Sequence, residues 1–244
     1  MLSQELLDVL INVGGNTMTR RGAIGSLLFG AGFTLSGCGL IGGEKSYRFR
    51  MTVVVQTPQE VKIGSSVYQV TAGYRPDLQP GGKARQWAVQ GEAVVVDLPG
   101  GQTLFALLKT GATQGDLVGL SMTALDPAFN NDIVESAGRI AKGDGIRSPA
   151  EVAAKDYPML VRFRDIHAPK SVELVDPVDL AKTFGPGVSL RRITVTVTDD
   201  AVTSGIEKRL VMLNIEPNHG LDRTMGVTAS PTLGQQLGYN DFRR

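Results

Sequence analysis

Alternation of apolar and polar side chains dominates the chain from residue 47 onward. In Tyr47-Arg48-Phe49-Arg50-Met51-Thr52-Val53 every second residue is large and apolar. A period of two buries one face of a strand and wets the other. The arginines fall on the wet face, where solvation is the expected role. Residues 66–74 repeat the pattern with Tyr68, Val70, Ala72 and Tyr74 on one face, and the short connection through Pro58 and Gly64 predicts a hairpin. Residues 75–83, with two prolines and Gly81-Gly82, read as a loop. Residues 86–98 contain Ala93-Val94-Val95-Val96, a buried strand, and Pro99-Gly100-Gly101 turns the chain into a partner at 103–109. Further strands are predicted at 117–122, 159–164, 172–175, 190–198 and 210–215. In 190–198, Ile193, Val195 and Val197 alternate with Thr194, Thr196 and Thr198, as a half-exposed antiparallel strand requires.

Between residues 127 and 156 the period changes. Ile133, Val134, Ala137, Ile140 and Ala141 fall at helical spacing, with Asp126-Pro127 ahead of them and Gly143 behind. Ser148-Pro149-Ala150-Glu151 has the form of a capping box and predicts a short helix to Lys155. One helical turn is expected in 177–184, and a turn or short helix in 204–209. The Gly-rich polar tail from Asn218 is expected to be loosely held. Strands and helices do not alternate, which disfavours a doubly wound parallel sheet. The predicted fold is mainly β (α+β): an antiparallel β-sandwich or open barrel of eight or nine strands, with a small helical insertion around residues 127–156. A division into two lobes near 125–157 stays open, because no linker marks it.

Composition changes this picture little. A chain of 244 residues with 42% hydrophobic and 20% charged residues folds rather than staying disordered. With a single tryptophan, Trp87, its core must rest on Val, Leu, Ile and Ala. The formal net charge is +1, and Glu5, Asp8, Arg20 and Arg21 cancel within the first 37 residues. A near-neutral domain lacks the broad basic field that holds a phosphate backbone, so nucleic acid is excluded as an expected partner. Net charge gives no argument for anionic lipid either. The lone cysteine, Cys38, forms no internal disulfide and rules out a multi-cysteine zinc site.

The position of that cysteine is more informative. Arg20 and Arg21 form a positive n-region, Ala23 to Leu35 is an uncharged and mostly apolar run, and Leu35-Ser36-Gly37-Cys38 follows. This is the tripartite pattern of a secretory signal. The apolar run reaches roughly 20 Å as a helix, short of a bilayer core of about 30 Å, so an uncleaved spanning helix is disfavoured. Residues 18–38 resemble the leader of bacterial lipoproteins, with Leu35-Ser36-Gly37-Cys38 similar to their lipobox. The resemblance implies a diacylglyceryl thioether on Cys38, cleavage before it, and acylation of the new amine. Several acyl chains anchor stably where one is marginal. Gly39 after the cysteine, rather than Asp, implies sorting to the outer membrane. Thr19-Arg20-Arg21-Gly22 also resembles the start of a twin-arginine signal, incomplete at Ala23 and Ile24, and the export route stays open. Residues 1–17 fit a start codon placed too early, with Met18 as the true start, or a long n-region. The resulting organisation is a signal peptide at 1–37, a lipidated tether at 38–46 and a β-rich domain at 47–244.

The search for chemistry yields no motif for catalysis, a cofactor or a metal. His167 and His219 lie outside any H-E-x-x-H or H-x-H pattern and read as loop and turn residues. No G-x-S-x-G is present; Gly119-Leu120-Ser121-Met122-Thr123 has only its first half, and Ser65 and Ser66 are equally unmarked. Asp199-Asp200, and Asp176 with Asp179, are paired acids best read as turn formers. Asp126, Asn130 and Asp132 do not match an EF-hand loop. Gly143-Asp144-Gly145 and Gly185-Pro186-Gly187 lack the lysine and spacing of a P-loop and read as turns. The expectation is a membrane-anchored envelope protein facing the periplasm, acting by binding or scaffolding through a partner the sequence does not name. The alternatives are an envelope hydrolase with a fold-assembled Ser/His/Asp site and a carrier of an apolar ligand.

Overall fold

The alternating segment that opens the domain becomes the central strand of the larger sheet. A computed structural model describes residues 43–76, 82–111, 116–214, 220–222 and 231–244. In it β1 (Lys45–Gln56) begins two residues ahead of the predicted start and is flanked on both sides by antiparallel partners, β2 (Val61–Pro76) and β9 (Ser189–Val197). With β3 (Lys83–Gln90) and β6 (Ala150–Glu151) these form a five-stranded sheet in the order β3-β2-β1-β9-β6. The second sheet runs β4-β5-β7-β8, from β4 (Val94–Leu98), β5 (Gln102–Thr110), β7 (Pro158–Phe163) and β8 (Val172–Leu174). The fold is therefore mainly β, two antiparallel sheets packed as a sandwich.

The predicted alternation appears directly in burial. Tyr47, Phe49, Met51, Val53 and Val55 are buried, while Arg48, Arg50 and Thr52 are half-buried on the opposite face. Phe49 stacks on Tyr68 of β2 at 5.1 Å between centroids, inside a single apolar cluster shared by both sheets. At one corner β2 approaches β4 so closely that a Cβ on Gly64 would stand 2.1 Å from the Val95 carbonyl oxygen. Gly64→Ala is accordingly expected to cost about 1–3 kcal/mol, the range for overpacking a closed interface. Equilibrium urea denaturation checks this, and a wild-type midpoint would show that the corner opens freely.

Helices α1 (Leu117–Leu125) and α2 (Ile133–Lys142) cover the end of the sandwich where β1 starts, and α3 (Ala181–Phe184) and α4 (Leu233–Gln236) are single turns. α2 matches its prediction. Asp132 caps it by accepting from the Val134 and Glu135 amides, and Gly143 ends it in the left-handed region at φ 93°. Residues 117–122, predicted as a strand, instead form α1. Asp116 Oδ1 accepts from the Val118 and Gly119 amides, and Leu117, Val118, Leu120, Ser121, Met122 and Leu125 are all buried. A helix buried on most of its surface has no amphipathic stripe to show its period.

Four further expectations are corrected by tertiary partners. The capping-box segment does not become a helix: Ala150 and Glu151 pair with Val195 and Thr194 of β9, and the Val152 amide donates to Ile193 O, before a 3-10 turn at Ala154–Asp156. A free sheet edge outweighs a local cap worth about 1 kcal/mol. Residues 86–98 are not one strand but β3 and β4, in different sheets. The chain breaks at Gly91, whose φ of 143° and 2.5 Å approach of a would-be Cβ to the Tyr68 ring admit only glycine. The strand predicted at 210–215 is a 3-10 turn over Val211–Asn214, where Met212 and Leu213 are buried singly. The tail is not loosely held in its described part. Leu237, Tyr239 and Phe242 are buried, Gly91 and Arg244 exchange backbone hydrogen bonds of 3.0 Å, and Phe242 O accepts from the Ala93 amide at 2.8 Å.

Candidate functional site

The smaller sheet ends in an edge where apolar side chains meet water. β7 buries both Leu160 and Val161, so its apolar residues serve two faces. β8 is only three residues long, and the ladder continues one step further through the Val175 amide to Leu160 O at 2.8 Å. Asp176 then turns the chain, its Oδ1 accepting from the Val178 amide at 2.9 Å. The turn leaves Leu174 60% exposed and Val178 89% exposed. Beside them runs an open groove of about 380 Å³ lined by Tyr157, Pro158, Met159, Leu174, Pro177 and their neighbours. Lys155 and Asp176 also line it, and Lys155 is ion-paired to Asp156 at 2.7 Å. Burial, with the charge of Glu151 adding to it, pushes the Tyr157 phenol pKa upward, so this hydroxyl is a neutral hydrogen-bond donor at physiological pH. An exposed apolar groove with a few polar groups suits an apolar side chain or small apolar ligand.

The residues considered for catalysis are placed elsewhere. His167 is exposed in a loop, its backbone amide donating to Asp165 Oδ1 at 2.9 Å. Ser171 shares that loop, but its hydroxyl is taken by the Asp165 backbone, donating to the carbonyl at 2.8 Å and accepting from the amide at 3.0 Å. Ser121 is buried in α1, its hydroxyl bonded to the Tyr47 hydroxyl at 2.8 Å and to Val118 O at 3.0 Å. Ser65 is exposed beside Arg50, and Ser66 is buried. His219 lies outside the described residues, as do Cys38, Arg20 and Arg21.

The acids have structural roles. Asp126 is buried and receives Arg139, with Nη2 at 2.7 Å. Burial raises its carboxyl pKa, but the bonds from Arg139 and the Ala128 amide outweigh that and hold it below the usual carboxylate range. Asn130 accepts from the Asp132 amide, while Asp132 caps α2 and pairs with Arg85. Asp179 Oδ1 accepts from the Lys182 amide. Asp199-Asp200 end β9: Arg48 donates to both carbonyl oxygens at 2.9 Å, and Arg50 to the Asp200 carboxylate. The two arginines thus hold a strap, which continues through Thr203, paired to the Val67 backbone, to the buried Glu92 carboxylate receiving the Gly205 and Ile206 amides. No group of three or more His, Cys, Asp or Glu able to hold a metal occurs among the described residues. No helix among them is long and apolar enough to cross a membrane.

No family model matches the chain, and neither a curated protein nor a solved structure matches it. The groove was not foreseen from sequence. Val178, next in the chain to the lining residue Pro177, is an exposed apolar residue where a helical turn was expected.

Proposed function

We propose that the protein is a lipid-anchored module of the bacterial cell envelope, held by acyl chains on Cys38 and facing the periplasm, that works by binding a partner protein. The leader ending at Cys38 supports the anchor, and Gly39 supports the outer membrane as its destination. The observation that carries the binding role is the groove beside β8, where Leu174 stands exposed among Met159, Tyr157 and Pro177, with Val178 exposed one residue beyond Pro177. Leaving such a cluster in water forgoes burial worth about 25 cal/mol per Å², a cost that a partner's apolar side chain would recover.

A photo-crosslinking amino acid placed at Val178 is expected to give a discrete adduct in intact envelopes. Leu174→Asp should reduce that adduct about tenfold, the effect of 1.4 kcal/mol in binding, with the circular dichroism spectrum unchanged. No adduct, or one indifferent to Leu174→Asp, contradicts the reading. A second reading, carriage of a small apolar ligand, draws on the groove volume of about 380 Å³, which falls within the range of small-molecule sites. A low-mass crosslinked species in place of a protein adduct would favour it.

A further inference from the structure

We propose that two copies of the chain join edge to edge through β3, antiparallel about Gln86, so that their five-stranded sheets become one continuous sheet. This surface uses none of the residues lining the groove beside β8. Four strands form the edges of the two sheets. β6, β8 and β4 are two, three and five residues long, whereas β3 is eight and pairs with β2 throughout without a bulge. Short, bulged or proline-bearing edges resist pairing, and a long regular edge is a template for another strand. β3 has no proline, and Lys83, Arg85, Gln86, Trp87 and Ala88 are exposed, on both faces of the strand.

The ladders show which backbone groups face that edge. Beyond the end of β3, Val67 O accepts from the Thr203 amide, and the Val67 amide donates to the Thr203 hydroxyl. Odd-numbered residues of β2 therefore turn their backbone groups away from β1 and, further along, toward β3. There they meet Gln90, Ala88, Gln86 and Ala84. Alternation leaves the amides and carbonyls of Lys83, Arg85, Trp87 and Val89 directed off the open edge. Gly91, next in that series, has its amide and carbonyl exchanged with Arg244 at 3.0 Å. Among the described residues no hydrogen bond reaches the edge-facing backbone groups of the other four.

A second β3 fits this window in one register. Outward groups must meet outward groups, so registers differ by steps of two residues. With Gln86 on the two-fold axis, Lys83 faces the second copy's Val89 and Arg85 faces its Trp87, and each pair occurs twice. Arg85 is ion-paired to Asp132 at 3.2 Å, and Trp87, its indole N–H donating to Asp116 at 2.8 Å, remains 42% exposed. A guanidinium beside an exposed indole is an attractive contact. The opposite face brings together only alanine and glutamine, with Ala84 against Ala88. A step one way sets Arg85 directly against Arg85, which is destabilising. A step the other way drives Lys83 onto Gly91, whose edge Arg244 already fills. This self-complementarity in a single register commits the edge to a second copy.

The test is disulfide crosslinking of the full chain, oxidised with copper phenanthroline in whole cells, with the wild type and its lone Cys38 as baseline. Gln86→Cys is expected to give a covalent dimer, because directly opposed residues in a non-hydrogen-bonded pair have Cα atoms about 4.5 Å apart, within disulfide reach. Ala84→Cys should give about tenfold less, its two copies lying about 14 Å apart at about 3.4 Å per residue. Co-expressed Ala84→Cys and Ala88→Cys chains should form the mixed dimer. Arg85→Pro added to Gln86→Cys should lower the dimer about tenfold with the urea midpoint retained, since it removes an edge-facing donor and no bond to β2. Equal dimer from Gln86→Cys and Ala84→Cys would mean random collision and overturn the proposal. Absence of a dimer, or a Gln86→Cys adduct with a different protein, would overturn it as well. None of these outcomes bears on the groove beside β8.

Discussion

Replacing Cys38 by alanine is expected to move nearly all of the protein from the membrane pellet to the soluble fraction. The reason is additive burial of hydrocarbon. Each methylene of an acyl chain contributes about 0.8 kcal/mol when it enters the bilayer, so several chains hold a protein for as long as it exists and none holds it at all. The apolar run at 23–35 is no substitute, since even as a helix it would reach only ~20 Å, short of the ~30 Å hydrocarbon core. No helix among the described residues supplies a second anchor. Equal fractionation of the wild-type and alanine proteins in high salt would count against the lipid anchor.

The second large effect is in the C-terminal tail. Phe242→Ala is expected to destabilise the domain by about 3–5 kcal/mol, out of a total of roughly 5–15. Phe242 is fully buried. Its ring meets Phe105 edge-on at 6.2 Å and lies 5.8 Å from Phe163, tying the chain terminus into the smaller sheet. Its carbonyl accepts from the Ala93 amide, so the tail also closes the break between β3 and β4. Loss of the ring leaves a cavity that β5 and β7 cannot fill without moving. The urea midpoint should fall by about 1–3 M. A midpoint unchanged from wild type would show that the tail packs on the domain without supporting it.

Legibility followed the number of wet faces. β1 and β9 each present one face to the core and one to solvent or to the strap, and their alternation in 47–53 and 190–198 announced them. α2 was legible for the same reason, with Asp132 and Gly143 marking its ends. α1 was not, because burial on most of its surface erased the helical period. β6 could not be foreseen from a segment carrying helix-start signals, since its partner is β9, some forty residues away in sequence. The tail looked polar because its core residues Leu237, Tyr239 and Phe242 are spaced among Gly, Asn, Asp and Arg. The groove beside β8 was invisible for a different reason. Exposure of Leu174 and Val178 is set by where a three-residue edge strand stops, and no local pattern encodes that. The acids and histidines raised no motif in the sequence, and Asp126, Asp132, Asp176, Asp179 and Asp200 are held in caps, turns and ion pairs.

The anchor is tested most directly by intact-mass spectrometry of the processed protein purified from membranes in detergent. The account predicts a polypeptide whose first residue is Cys38, heavier than its sequence by a diacylglyceryl group on sulfur and a further acyl chain on the amine. A free thiol at Cys38, or a chain that still carries residues 1–37, would contradict it.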